Sequence, residues 1–278
     1  MHYGVTMFAT DRTMGPIAFA RAVEERGLHS IYLPEHTHIP TSRRTKPPTG
    51  DAELAEEYKR TLDPLVALSA MAAVTSRVEL GTGILLPAQR DPIVTAKAIA
   101  TLDLVAEGRF VLGIGFGWNE DELAHHGVGM GERRDVVRER MLTMRRLWTD
   151  DVAEYHGDHV ELAPSWSWPK PSGPGRPPVL IGGAAGPKLF AHVAEYADGW
   201  FPIGGAGVRK ALPDLRRACE AAGRDFDALR IVPFGTLPDP GKLDYYESIG
   251  ITEIVLRVHG GDEGIVLAQL DDYARLVS

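Results

Sequence analysis

Apolar positions along this chain follow two periods in turn. Short β-prone runs are followed by a turn, then by an amphipathic stretch that opens at Pro and closes near Gly. This rhythm predicts strands over 3–8, 30–33, 78–86, 109–114, 179–181, 199–202, 231–234 and 253–258. Helices are predicted over 16–26, 63–76, from 92 to a stop at Gly108, then over 187–197, 208–222, 242–249 and 265–276, with helical stretches between 119 and 149. Asp63-Pro64 and Asp91-Pro92 carry the start signal of an Asp N-cap followed by Pro at the first helical position. In the helix after Asp91, the stripe Val94, Ala98, Leu102 and Val105 is expected to face inward. Several strands, such as Phe110-Val111-Leu112 and Ile254-Val255-Leu256, are apolar at every position, as expected in a parallel sheet covered on both faces.

Eight strand–helix units of about 35 residues follow one another without a composition break. The expected fold is therefore α/β, a single (β/α)8 TIM barrel spanning residues 1–278, with an open doubly wound sheet as the alternative. Two segments exceed ordinary connections: an extended loop over 37–61 after strand two, and a Pro-rich insertion around 163–178 before strand five. The first follows a strand's C-terminal end, where barrels build their sites, and reads as a lid. Trp166 and Trp168 in the second read as a mouth wall or an interface anchor.

Composition narrows the function. The 30 Gly and 20 Pro among 278 residues fit many short elements joined by tight turns. A formal charge of −8, with basic residues scattered, gives no footprint for nucleic acid. No apolar run has the length of a membrane span. A single cysteine, Cys219, excludes an internal disulfide and any cysteine-based cluster, which suits a reducing cytoplasm.

Candidate chemistry gathers at the predicted strand ends. Glu35-His36 is the strongest titratable pair: imidazole exchanges protons near neutral pH, and a neighbouring carboxylate can tune or orient it. Adjacent strand residues point to opposite faces, so the two need not touch. His36-x-His38 has the spacing of a metal pair, but later strands end in Gly and Pro, and no metal is expected. Gly182 to Gly186 before Pro187 reads either as a phosphate cradle at a helix N-terminus or as a plain turn. Gly113-Ile-Gly-Phe-Gly lacks the spacing of a dinucleotide fingerprint.

These pieces have a family likeness. Leu33-Pro-Glu-His36, Val78-Glu-Leu-Gly-Thr-Gly-Ile-Leu-Leu-Pro87, Leu112-Gly-Ile-Gly-Phe-Gly-Trp-Asn-Glu120, Pro178-Val-Leu-Ile-Gly-Gly183 and Ala197-Asp-Gly-Trp200, in this order, resemble the bacterial luciferase-like monooxygenases. Within them the chain is most similar to the short coenzyme F420-dependent oxidoreductases. The resemblance implies a barrel holding a deazaflavin, or alternatively FMN, at the strand C-termini, beside a small-molecule substrate. It implies that His36 is the active-site histidine, with Glu35 as its acidic neighbour, and that Gly83-Ile84 is a cis peptide behind the ring. Gly182, Gly183 and Ala184 would bind phosphate, and Trp118 and Asn119 would contact ring or substrate. The sugar-phosphate dehydrogenase branch has a glutamate at the position of Trp118, so that chemistry is not expected here. A cytoplasmic oxidoreductase follows, with a homodimer as the assembly common among relatives. An FMN-dependent monooxygenase and a non-catalytic flavin-binding protein are the alternatives.

Overall fold

The computed structural model describes residues 1–41, 44–46, 53–173 and 175–277. Parts of the expected lid, Arg43 among them, and Pro174 of the insertion lie outside these residues. The strands are β1 (His2–Thr6), β2 (Ser30–Leu33), β3 (Glu79–Thr82), β4 (Phe110–Ile114), β5 (Ala153–His156) and β6 (Glu161–Ser165). They continue as β7 (Val179–Gly182), β8 (Gly199–Phe201), β9 (Arg230–Ile231), β10 (Phe234–Thr236) and β11 (Glu253–Arg257). The helices are α1 (Pro16–Glu25), α2 (Pro64–Ala72), α3 (Pro92–Val105), α4 (Glu120–His125) and α5 (Arg133–Thr149). After them come α6 (Pro187–Tyr196), α7 (Val208–Ala221), α8 (Pro240–Ser248) and α9 (Glu263–Ala274).

The main sheet is parallel, in the order β10-β11-β1-β2-β3-β4-β7-β8-β9. Its two end strands, β9 and β10, are halves of one strand interrupted at Val232-Pro233. The Val232 and Phe234 amides donate to the Trp200 and Pro202 carbonyls on the β8 side, at 3.0 and 3.1 Å. Pro233 has no amide hydrogen, and its carbonyl accepts from Val255 of β11 at 2.9 Å. The two halves therefore join β8 to β11, and the sheet closes into the expected eight-stranded barrel.

Inside the barrel, Tyr32, Val111, Leu180, Phe201, Val232, Phe234 and Val255 form one packed layer. A larger apolar shell lies between the strands and the helices. Asp63 and Asp91 cap α2 and α3 as their sequence predicts, accepting from Val66 and Val94 amides at 3.1 and 2.9 Å.

Three expectations need correction. In α3, Val94 and Val105 are exposed, while Thr95, Ala96, Ile99, Ala100, Leu102 and Asp103 are buried. The helix is covered on two sides: Trp148 of α5 donates to the Ala96 carbonyl, and Asp103 accepts from the Ser172 amide. A one-stripe reading fails for such a helix. The region before strand five opens with an antiparallel hairpin, β5–β6, which the Pro-rich composition hid. Finally, Trp166 and Trp168 are exposed and line no part of the barrel mouth.

Candidate active site

A cavity of about 510 Å³ opens at the C-terminal ends of the barrel strands. His36, Gly83, Ile84, Trp118, Gly182, Gly183 and Ala184 all line it. Asn119 does not. It is buried and caps α4, its side-chain oxygen accepting from the Glu122 amide at 3.4 Å. A larger depression of about 780 Å³ between α6 and α7 lies outside the barrel, away from His36.

Glu35 and His36 leave β2 in opposite directions. The Glu35 carboxylate turns away from the histidine, accepting from the Leu86 amide at 2.7 Å and from Arg90 Nε at 2.6 Å. Arg90 also holds Asp63 at 2.6 Å. Burial pushes the Glu35 carboxyl up from its ordinary range, with the Arg90 charge and the Leu86 amide offsetting only part of that. Glu35 thus ties strand ends together and does not orient His36.

The partner of His36 is Glu122, on α4. His36 Nδ1 lies 2.9 and 3.1 Å from the two Glu122 oxygens, and both side chains are almost fully buried. Around the imidazole stand Tyr58 at 5.3 Å and Trp118 at 5.9 Å between ring centroids, and Phe8 packs on Tyr58 at 4.8 Å. Around His36 the cavity is an aromatic wall with one proton-exchanging group. His36 and His38 do not converge on a common point: His38 Nε2 meets His125 Nδ1 at 2.8 Å instead.

Below the mouth, the Gly83–Ile84 peptide is cis. A Cβ on Gly115 would lie 2.0 Å from Ile84 Cδ1, and one on Gly182 would lie 3.1 Å from Ile84 Cγ2. These glycines make room for the Ile84 side chain, a use that a reading based on ligand approach does not foresee. Gly183, with φ of +151°, continues the turn at the cavity edge.

The same cavity is lined by Arg133 and Arg134, the first residues of α5. Arg133 Nε and one terminal nitrogen of Arg134 are buried without a hydrogen-bond partner, and the Arg134 guanidinium lies 4.3 Å from the centre of the Phe116 ring. Burial, with the adjacent Arg133 charge second, pushes Arg134 below its ordinary value. Among the described residues neither arginine has a carboxylate partner. Arg133 also donates to the Met130 carbonyl; the remaining buried nitrogens of these two partly buried cations, in a cavity that holds a glycine turn, could receive an anion.

Sequence reasoning missed Glu122, Tyr58 and both arginines. Glu122 reads as one of three acids in a helix's first turn, and Tyr58 sits inside a long loop. The Arg133-Arg134 pair at a helix start after Gly127, Gly129 and Gly131 was the one available signal.

Comparison with known proteins adds a lineage. A family model described as luciferase-like monooxygenase matches residues 13–237. An uncharacterized protein of Mycobacterium tuberculosis is 46% identical over 258 residues, covering 92% of this chain and 91% of its own. An F420-dependent glucose-6-phosphate dehydrogenase of Kineococcus radiotolerans is 33% identical over 218 residues; the match covers 74% of this chain and 58% of that protein. Among solved structures, an F420-dependent secondary alcohol dehydrogenase in complex with an F420–acetone adduct superposes with a TM-score of 0.77 at 18% identity, over 99% of this chain and 98% of that one. At that identity the superposition speaks to the fold.

Proposed function

The chain belongs to the luciferase-like monooxygenase family and is an oxidoreductase, and from that premise we propose that it moves a hydride between coenzyme F420 and a small, largely apolar organic substrate. One observation carries this reading: a single cavity lined both by a buried histidine and by two arginines lacking acid partners among the described residues. The orphaned guanidinium nitrogens fit an anionic cofactor tail. Arg133, Arg134 and the Gly182-Gly183-Ala184 turn would hold it, while Gly83 and Ile84 would back the ring.

The deazaflavin would supply the hydride chemistry, and the barrel would supply orientation and charge. His36 gives or takes the accompanying proton at Nε2, the ring nitrogen not engaged by Glu122. Phe8, Tyr58 and Trp118 offer apolar surface and few hydrogen bonds, which favours an apolar substrate over a sugar phosphate. Its single cysteine, Cys219, is buried and free, which fits action in a reducing cytoplasm.

Fluorescence titration of the purified protein with F420 beside FMN tests the reading. Micromolar or tighter binding of F420 is expected, and binding of neither overturns it. Binding of FMN together with substrate-dependent oxygen consumption would replace it with a flavin monooxygenase.

A further inference from the structure

We propose that Glu122 is the positioning residue of this site: its carboxylate keeps a proton on His36 Nδ1 and thereby presents Nε2 to the cavity as the proton-exchanging atom. This rests on the reading of His36 as proton donor or acceptor.

The argument begins with what a buried carboxylate requires. Glu122 is almost fully buried, and His36 is its side chain's only polar partner among the described residues. An ionised carboxylate only accepts hydrogen bonds, so the nitrogen 2.9 Å away must be a donor. Nδ1 therefore carries hydrogen whether the ring is neutral or charged. Nε2, which has no protein partner among the described residues, is left as an acceptor in the neutral ring and a donor in the imidazolium. In the reductive direction, the Nε2 proton would pass to a substrate oxygen or nitrogen, the hydride for carbon being what a bound reduced deazaflavin would supply. His36 is left neutral with its Nδ1–H on Glu122. The oxidative direction reverses both transfers.

The fold fixes this pair from both sides. Glu122, His125 and His126 lie on one face of the α4 segment, at spacings of three and four. They meet three successive residues after β2. Besides the His36–Glu122 bond, His38 Nε2 lies 2.8 Å from His125 Nδ1, and Thr37 Oγ1 lies 2.8 Å from His126 Nε2. Asn119 caps the start of the same helix. The carboxylate is thus held in register with the imidazole by neighbours on either side of the pair.

Two-bond ¹⁵N–¹H spectra of the cofactor-free protein, with His36 identified by loss of its signals in His36→Gln, read the tautomer directly. The expected result is a neutral ring protonated at Nδ1, moving toward the Nε2–H form in Glu122→Leu. With F420 and substrate, Glu122→Gln should lower kcat by about 100-fold. KM and F420 affinity should be unchanged, and Glu122→Asp should recover part of the rate. A wild-type ring protonated at Nε2 alone, or wild-type kcat in Glu122→Gln, overturns the proposal. If the variants do not fold, the wild-type spectrum still decides. Failure of F420 to bind beside an Nδ1–H ring would sink the proposed function and leave this tautomer assignment standing.

Discussion

The two ends of the barrel use arginine in opposite ways. At the N-terminal end, Arg230 bonds to Glu79 at 2.8 Å and to Glu253 at 2.6 Å, and Glu253 also accepts from Ser30. Its neighbours raise the Arg230 pKa. His29, Glu79 and Glu253 form the one metal-ligand grouping among the described residues, but Arg230 already bonds both acids. At the C-terminal end, Arg133 and Arg134 face a cavity with buried nitrogens unpaired. A compensated cation holds the fold together, whereas the pair without acid partners is the one we propose to receive an anionic ligand. The same residue type therefore says nothing until its partners are counted.

This contrast can be broken by experiment. Replacing Arg230 with Met takes the cation from two acids and should lower stability by roughly 2–4 kcal/mol, the cost of about 3–5 kcal/mol for breaking a buried pair reduced by the partial exposure of Arg230. The readout is the denaturant midpoint, with F420 affinity of the remaining folded protein unchanged. Arg134→Met should do the reverse. Loss of a charge-assisted contact of about 1.5–3 kcal/mol weakens F420 binding by about 10–100-fold, while the thermal midpoint holds or rises. A fall in stability with intact binding would place Arg134 with Arg230.

Asp91 sharpens the point, because it lies at the mouth end yet is fully used as a helix cap. Asp91→Ala should cost about 1 kcal/mol of stability and leave cofactor binding alone. The smallest effect concerns the clasp between α4 and the β2 exit. Burial pushes His126 below its ordinary value, with the nearby His38 as the next cause; Glu122 opposes the shift, and His125 and Arg140 add to it. The unfolded chain then binds more protons than the folded one near pH 6. The stability contribution is complete above about pH 6.5 and is lost as pH falls through the lower folded value. Unfolding midpoints at about pH 7.5 and 5.5 should differ less in His126→Gln than in the wild type, and an equal difference would count against the clasp.

Much of the fold was legible because its signals are local. Pro after Asp marks the starts of α2 and α3, and continuous apolar runs mark strands covered on both faces. His36 was legible because it follows a strand that ends at the barrel's mouth. Its partner was not: proximity in sequence favoured Glu35, but backbone alternation sends that side chain to Arg90, and the carboxylate that meets His36 comes from 86 residues away. Arg133 and Arg134 look like any basic pair until burial without partners distinguishes them. The split of the strand expected over 231–234 into β9 and β10 was hidden for a different reason. Val232-Pro233-Phe234 reads as a single apolar run, and only the pairing on either side of Pro233 divides it.

That division gives the closed barrel a seam. Among the described residues, no backbone hydrogen bond joins Arg230 or Ile231 to β11; the Arg230–Glu253 ion pair spans the gap instead. Elsewhere around the ring, neighbouring strands are laced by main-chain bonds that do not depend on side-chain identity. Pro233 and β10 keep main-chain bonds to β11 further along, but beside β9 the link is one guanidinium, so a single point substitution can loosen one staple of the cylinder. Amide hydrogen exchange should reveal this in Arg230→Met as faster exchange confined at first to β9 and the start of β11, with β2 to β4 still protected.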